Sequence, residues 1–277
     1  MLSAHASSAV KYYGAIGNGA VDDTAAIQAA VNNTAIDWLY FPPGSYRITS
    51  TITVSRTDGL RMSGIRGNTN LISDAGVLIT MTISGSFNRL QSVNVINPGG
   101  AGSIAVNVTG GPNFITDIGV SSGVETGLSI SGGETVVTDC WIRASATQIL
   151  VQNCFSCTFV GNRYTTGTNI RFNNARAHTV VGVVTVIVLE NNSNVAIIGG
   201  VNTLTVSDAA SKYSLINNSF VDTHDTYRVD GVKVVGVQGA AVPDAAGGIM
   251  IDVEARAAIN ALLARLRAST GHGLIAT

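Results

Sequence analysis

Six short segments punctuate the middle of this chain at nearly constant spacing, and that punctuation restricts the fold more than any other feature. They are "ISGSFNRL" from Ile83, "VTGGPNFI" from Val108, "ISGGETVV" from Ile130, "VQNCFSCTF" from Val151, "FNNARAHTV" from Phe172 and "LENNSNVAI" from Leu189. The starts lie 25, 22, 21, 21 and 17 residues apart. Two residues into each stands Gly85, Gly110, Gly132, Asn153, Asn174 or Asn191. Glycine and asparagine enter the left-handed backbone region at low cost. The pattern therefore predicts a turn with positive φ at the same place in every repeat. Between the turns lie short alternating β-branched runs such as "VVTDCWI" and "HTVVGVVTVIV", which read as strands. Short strands repeating at a fixed period, with helical spacing only at the chain ends, predict an all-β parallel solenoid, a β-helix. Residues 46–240 are assigned to the column, 1–45 to an N-terminal segment with a capping helix, and 241–277 to a C-terminal linker and helix. Coils stacked at the strand spacing of about 4.8 Å give roughly eight or nine turns, a column of about 40 Å. A β-sandwich would instead show hairpin signals and antiparallel alternation.

A solenoid has two open ends that expose backbone and core, so both need covers. Asp22 and Asp23 are suitable N-caps for "TAAIQAAV", which places Ile27, Ala30 and Val31 on one face. At the other end, "IDVEARAAINALLARLRA" has Ile259, Leu262, Leu263 and Leu266 at helical spacing, with Asp252 and Glu254 near its start and Arg265 and Arg267 near its end. That charge order matches the helix dipole.

Composition narrows the function classes. Of 277 residues, 45% are hydrophobic and only 12% charged, with 31 glycines. Such a surface is made of Ser, Thr, Asn and Gly, as on rigid β-rich proteins that bind sugars or face harsh surroundings. The formal net charge of −1 argues against a general nucleic-acid or anionic-membrane binder. No apolar run reaches the length of a membrane span. The start "MLSAHASSAVKYYG" has no apolar h-region, so no secretory signal is expected. Cys154 and Cys157 form a CxxC without a second pair, which reads as buried free thiols rather than a zinc site. No metal or cofactor is expected.

The stretch "YGAIGNGAVDDTAAIQAAVNN" from Tyr13 to Asn33 superficially offers a glycine-rich nucleotide loop. No apolar strand precedes it, its glycine spacing departs from G-x-G-x-x-G, and no βαβ unit follows. Together with "LYFPPGSYRIT" it closely resembles the N-terminal signature of the pectate-lyase-like superfamily. The shared positions are Tyr13, Gly14, Ala15, Gly17, Gly19, Asp22, Asp23, Thr24, Ala26, Ile27, Gln28, Tyr40, Phe41, Pro42, Pro43, Gly44, Tyr46 and Ile48; Asn18 stands where Asp is usual. The resemblance implies a right-handed parallel β-helix capped by the helix at Asp23. It does not choose an activity, since that superfamily includes lyases, hydrolases, epimerases and binders. The ending "EARAAINALLARLRASTGHGLIAT" resembles endings of bacteriophage tailspike and tail-fibre proteins. That implies a homotrimeric virion-tail protein, working beside other phage tail proteins, that binds or degrades a bacterial surface polysaccharide such as O-antigen or capsule.

Several residues are candidates for chemistry. "GHG" at Gly271–Gly273 resembles a polygalacturonase motif but lies beyond the last helix, and no NTD or RIK precedes it. No tight carboxylate run of the kind that ligates calcium is present among the 17 acidic residues, which disfavours a calcium-dependent lyase. Asp117 is nine residues after Val108 and Asp139 nine after Ile130, so they share a slot on adjacent coils. With Ile118, Val120, Cys140 and Ile142 inward, alternation sends Asp117, Asp139, Trp141 and Arg143 outward. Two carboxylates stacked about 5 Å apart would repel and split their pKa values, the arrangement of a retaining glycosidase. The alternative is two solvated aspartates on a polar sheet. Trp141 suits a sugar face, and Arg143, Arg163 and Tyr164 suit an anionic sugar. Glu125 and Glu134 are candidates for lining the same groove. "VDTHDTYRVDG" collects Asp222, His224, Asp225, Arg228 and Asp230, as a catalytic loop, a subunit contact or a solvated loop. His5 and His178 read as incidental, and the turn asparagines as a structural ladder. The expectation is recognition, with endo-glycosidase cleavage as one reading and a non-catalytic binder or structural spacer as the others.

Overall fold

Alternation along very short strands decides which side chains enter the column. Leu39, Met62, Leu90, Ile115, Val137 and Phe159 stack in register on one wall, Tyr46, Leu71, Val95, Val120 and Ile142 on a second, and Met81, Val106, Leu128, Ile149 and Ile170 on a third. All are fully buried or nearly so. This computed structural model describes residues 7–121, 123–144, 146–165, 168–182, 184–216, 226–229, 232–236 and 259–264. Contacts divide the chain into two units, Met1–Val221 and Asp222–Thr277.

The first unit is the column. Sheet A has ten parallel strands, from Ser7–Ala9 to Lys212–Ile216; sheet B has seven, from Asn18–Asp22 to Arg163–Tyr164; sheet C has eight, from Ile52–Val54 to Val201–Val206. The chain passes A to B to C and returns one strand higher. Parallel crossovers are right-handed for steric reasons, and the result is a right-handed parallel β-helix. The N-terminal segment contributes its own strands: Ser7–Ala9 pairs with Trp38–Tyr40, and Asn18–Asp22 with Gly44–Ile48.

The coils shorten up the column. The sheet A positions Arg61, Arg89, Phe114, Val136, Thr158, Thr179, Ala196 and Ser214 are in register, and are 28, 25, 22, 22, 21, 17 and 18 residues apart. The drop from 21 to 17 has a simple cause. Sheet B ends at Arg163–Tyr164, and the next coil goes from His178–Val181 in sheet A almost directly to Val184–Glu190 in sheet C.

The expected row of left-handed turns is half correct. Asn153, Asn174 and Asn191 have φ of 52°, 50° and 52°. Gly85, Gly110 and Gly132 are not left-handed. A β-carbon on them would come within 1.8 Å of the Arg56 carbonyl oxygen, 2.2 Å of the Ser84 oxygen and 1.9 Å of the Gly110 oxygen respectively. Close backbone approach, not backbone angle, demands glycine there. The amide direction differs too. Gly110 N–H donates down to Ile83 (3.2 Å) and Gly132 N–H down to Val108 (3.1 Å), whereas Asn153 donates up to Asn173 and Asn174 up to Glu190, both at 3.1 Å.

The N-terminal helix is Thr24–Asn32, with Ile27, Ala30 and Val31 fully buried. The two aspartates divide the work that both were expected to do as caps. Asp22 Oδ1 accepts from the Thr24 amide (3.0 Å) and hydroxyl (2.6 Å). Asp23 holds the N-cap position but makes no capping bond. Its buried carboxylate accepts from the amides of Ile16 (2.6 Å) and Gly17 (3.1 Å), pinning the glycine loop. Gly17 is left-handed at φ 68°, and a β-carbon there would meet the Tyr46 ring at 2.8 Å. Ser45 N–H donates to the Gly17 carbonyl (2.9 Å) and Tyr46 Oη to that of Pro42 (2.8 Å). The two halves of the opening motif are thus one lock. In the second unit, Thr226–Val229 and Val232–Gly236 form an antiparallel hairpin, and residues 259–264 are helical. Leu266 and the flanking charges of the expected terminal helix lie outside the described residues. Among the described residues no helix is long and apolar enough to cross a membrane.

Candidate functional site

From the strand Arg89–Gln91 upward, sheets A and B are joined by two-residue connections in which the first residue is left-handed and the second points inward. Ser92, Asp117, Asp139 and Gly161 occupy the first place, with φ of 54°, 54°, 55° and 65°. Val93, Ile118 and Cys140 fill the second and are fully buried. Asp117 and Asp139 therefore do share a slot on adjacent coils, but in a turn rather than on a strand. Their amides donate up the column, to Thr138 (2.9 Å) and Val160 (3.0 Å).

Their carboxylates point in opposite directions along the stack. Asp117 Oδ2 accepts from Ser92 Oγ of the coil below (2.9 Å), and Oδ1 from the guanidinium of Arg66. Arg66 also reaches the Asp139 carbonyl at 3.4 Å. Asp139 Oδ1 instead lies over Gly161 of the coil above, 2.7 Å from where a β-carbon would stand. The Asp139 carboxylate makes no hydrogen bond or ion pair to the described residues. Two mutually repelling carboxylates were expected; one carboxylate held by an arginine and one open carboxylate are found. Arg66 was missed in the sequence. Its signal is the connection length: five residues, Gly64–Asn68, where the later coils have two.

The outward face of sheet B changes character as it rises. Ser45, Asn70, Asn94, Gly119, Trp141 and Arg163 stand in one row. The lower part is a polar ladder: Asn94 Nδ2 donates to Asn70 Oδ1 at 2.9 Å and Asn70 Nδ2 to Ser45 Oγ at 3.4 Å. Gly119 then ends the ladder, with Asn94 Oδ1 2.5 Å from where its β-carbon would stand, and above it Trp141 is 42% exposed. The Arg143 guanidinium lies 4.3 Å from the Trp141 ring centroid, and Arg163 is directly above. Because sheet B stops there, its top edge is a ledge. An open depression of about 480 Å³ sits on it, lined by Trp141, Gly161, Asn162, Arg163, Tyr164 and Thr185. Tyr164 differs from expectation. It takes the inner register with Ile142, and burial pushes its phenol well above the ordinary value. It forms the floor of the depression rather than an outward partner of Trp141.

The two glutamates do not join this face. Glu125 is the second residue of the sheet C strand Val124–Ile130, and its carboxylate accepts from the Gly102 amide. Glu134 is exposed and left-handed at φ 57° in the turn from sheet C to sheet A. The strand Val136–Thr138 separates it from Asp139, about 16 Å of extended chain. Asp222, His224, Asp225 and Asp230, and Gly271–Gly273, lie outside the described residues; Arg228 falls in the hairpin strand Thr226–Val229. His178, read as incidental to chemistry, has a place in the core, and His5 lies outside the described residues. The His178 ring is buried, accepts from the Cys157 amide at Nδ1 (3.0 Å) and packs against Phe172. Cys154 and Cys157 are free and buried with sulfurs 4.0 Å apart. No group of three His, Cys, Asp or Glu that could hold a metal occurs among the described residues.

Known structures share this architecture. ORF18 of Geobacillus virus E2 superposes with a TM-score of 0.50 at 15% identity, over 77% of this chain and 60% of that one. Full-length tailspike protein 2 from the Escherichia coli O157:H7 bacteriophage CAB120 gives 0.50 at 12% identity, over 77% and 42%. The A-module of the mannuronan C-5 epimerase AlgE6 from Azotobacter vinelandii gives 0.52 at 16% identity, over 76% and 75%. At these identities the likeness establishes the fold alone, and this chain spans less than two thirds of the two viral proteins. No curated protein sequence matches the chain. The family profile described as rhamnogalacturonase A/epimerase, pectate lyase-like matches residues 8–195, from the first strand through the coils that carry Asp139, Trp141 and Arg163. The chain belongs to that pectate lyase-like family.

Proposed function

We propose that this chain is a tailspike-like virion-tail protein that recognises a bacterial surface polysaccharide on the outer face of sheet B, at the ledge where that sheet ends. The observation that carries this reading is an open depression lined by Trp141 and Arg163, with Arg143 stacked on the Trp141 ring. An exposed tryptophan offers a flat apolar face to a sugar ring. Planar guanidiniums beside it offer forked donors to hydroxyl or acid groups. Trp141 and Arg163 lie on paired strands, which orders their backbone before binding. The homotrimer and the other tail proteins implied by the C-terminal resemblance belong to this same proposal.

Cleavage is a second reading, favoured by one observation: Asp117 and Asp139 share a slot on adjacent coils beside this face. In an endo-glycosidase of the retaining kind, one carboxyl group would protonate the leaving oxygen and the other attack the sugar carbon. Here Arg66 would have to release Asp117 for it to take either role. Recognition requires no such change, and it is the reading the geometry supports better.

The test is a panel of purified bacterial surface polysaccharides, with binding and oligosaccharide release measured on the same samples. Recognition predicts that at least one is bound. Release that is abolished in both Asp117→Asn and Asp139→Asn would establish cleavage; binding without release leaves recognition alone. Absence of binding to every member would support a structural spacer.

A further inference from the structure

We propose that the lower outer face of sheet A is a second binding strip, built to take the acid groups of an anionic glycan on Arg61 and Arg89. It lies on a different sheet from the ledge and does not depend on the ledge reading.

Trp38, Arg61, Arg89 and Phe114 stand in one outward row on four consecutive coils. Adjacent members of such a row are about 4.8 Å apart at the backbone. Like charges directly opposite one another on neighbouring strands are destabilising, so the Arg61–Arg89 pair is not a stabilising choice. The two guanidiniums avoid each other by leaning apart. Arg61 Cζ lies 4.8 Å from the Trp38 ring centroid below, and Arg89 Cζ 5.1 Å from the Phe114 ring above. The Trp38 ring is itself fixed, because its Nε1 donates to Ser63 Oγ at 2.5 Å.

Neither arginine is neutralised. Asp37 and Asp58, which precede Trp38 and the Arg61 strand, are turned to Arg56 at 3.9 and 2.7 Å, and Asp74 pairs with Arg47 at 2.8 Å. Among the described residues Arg61 and Arg89 enter no ion pair, and both are exposed. Stacking on an aromatic ring leaves the N–H edges of a guanidinium free and restricts its rotamers. That is the state that binds a carboxylate or phosphate in bidentate fashion. Beside this row stand Gln91 and Thr116, neutral groups suited to sugar hydroxyls, while Ser63 in the same register is buried and held by Trp38. A rigid strip of two oriented cations bordered by hydroxyl and amide groups fits an extended glycan bearing carboxylates or phosphodiesters.

The experiment compares affinity for polygalacturonate (carboxylates), poly(glycerol phosphate) (phosphodiesters) and neutral dextran. Wild type is predicted to bind at least one acidic polymer about ten-fold more tightly than dextran, with the preference falling as salt rises from about 50 to about 300 mM. Which acidic polymer binds identifies the acid group. The double variant R61Q/R89Q is predicted to lose about ten-fold, while R171Q, on another sheet and paired with Glu190, keeps wild-type affinity for these polymers. R61K/R89K keeps the charge without the fork and is predicted to lose about three-fold; it decides the question should the glutamine variant fail to fold. Equal binding to dextran, undiminished binding by the arginine variants, or an equal loss in R171Q would overturn the proposal. A loss in W141A alone would overturn it too, placing the acid groups at the ledge.

Discussion

The lower and upper halves of the column obey the same sequence pattern for different physical reasons. In the lower coils the turn position is Gly85, Gly110 or Gly132, its amide pointing down, with a neighbouring carbonyl where a β-carbon would be. In the upper coils it is Asn153, Asn174 or Asn191, left-handed, with the amides of Asn153 and Asn174 pointing up. The lower coils also keep all three walls, while the coils above Tyr164 lose sheet B. A residue class shared along a repeat therefore need not mean a shared backbone state. The ledge that carries the candidate site is a product of the difference: it exists because one wall stops before the others.

The comparison breaks most easily at the turns. Gly85→Ala is predicted to destabilise by about 3 kcal/mol, the upper range for forced overpacking, because backbone must move. Asn174→Ala should lose about 1 kcal/mol for the left-handed angle, and Asn174→Gly only a few tenths. Urea unfolding of the three variants checks the order. Equal penalties for the two alanine variants would show that both halves have one kind of turn after all.

A smaller effect tests the lower cap. Burial raises the Tyr46 phenol from 10.0 to about 12. A raised pKa means that the folded state holds its proton longer than the unfolded chain. Stability from this group is thus complete below pH 10 and falls as pH rises from 10 toward about 12. Tyr46→Phe should lose about 1 kcal/mol at neutral pH with the bond to Pro42, and should flatten the alkaline decline in melting temperature. An unchanged decline would assign it to other groups.

The smallest effects belong to exposed charges. Hydrogen bonding to Arg56 holds Asp58 below the ordinary carboxylate range. Its contribution is present above about pH 4 and is lost as pH falls further, so Asp58→Asn should slightly reduce acid sensitivity in a pH-jump unfolding series. Arg66→Ala should cost under about 1 kcal/mol, since its partner Asp117 is partly exposed.

The fold was legible because a solenoid writes its geometry into sequence period and alternation. The inward set Ile118, Val120, Cys140 and Ile142 followed from Asp117 and Asp139 in the repeat, and all four are buried. The opening motif announced the cap. The division of work between Asp22 and Asp23 was not legible, since both residue types satisfy capping equally. The site was only partly readable. The outward positions of Trp141 and Arg143 followed from strand alternation and the nearness of Arg163 from the repeat, whereas Tyr164 turned inward because the register on the last sheet B strand pairs it with Ile142. Arg66 is 51 residues from Asp117, and no period links a loop arginine to a turn two coils higher. The end of sheet B was visible only as the shortening from 21 to 17 residues, which by itself does not say which wall is lost.

The most direct test of the ledge is the affinity of Trp141→Ala for the polysaccharide the wild type binds, measured beside Phe155→Ala. Both aromatics are exposed, at 42% and 60%, but Phe155 lies in the turn from sheet C to sheet A, away from the ledge. Recognition at the ledge predicts a loss of about ten-fold or more for Trp141→Ala, the scale of one stacking contact, and no change for Phe155→Ala. Wild-type affinity in Trp141→Ala would contradict it.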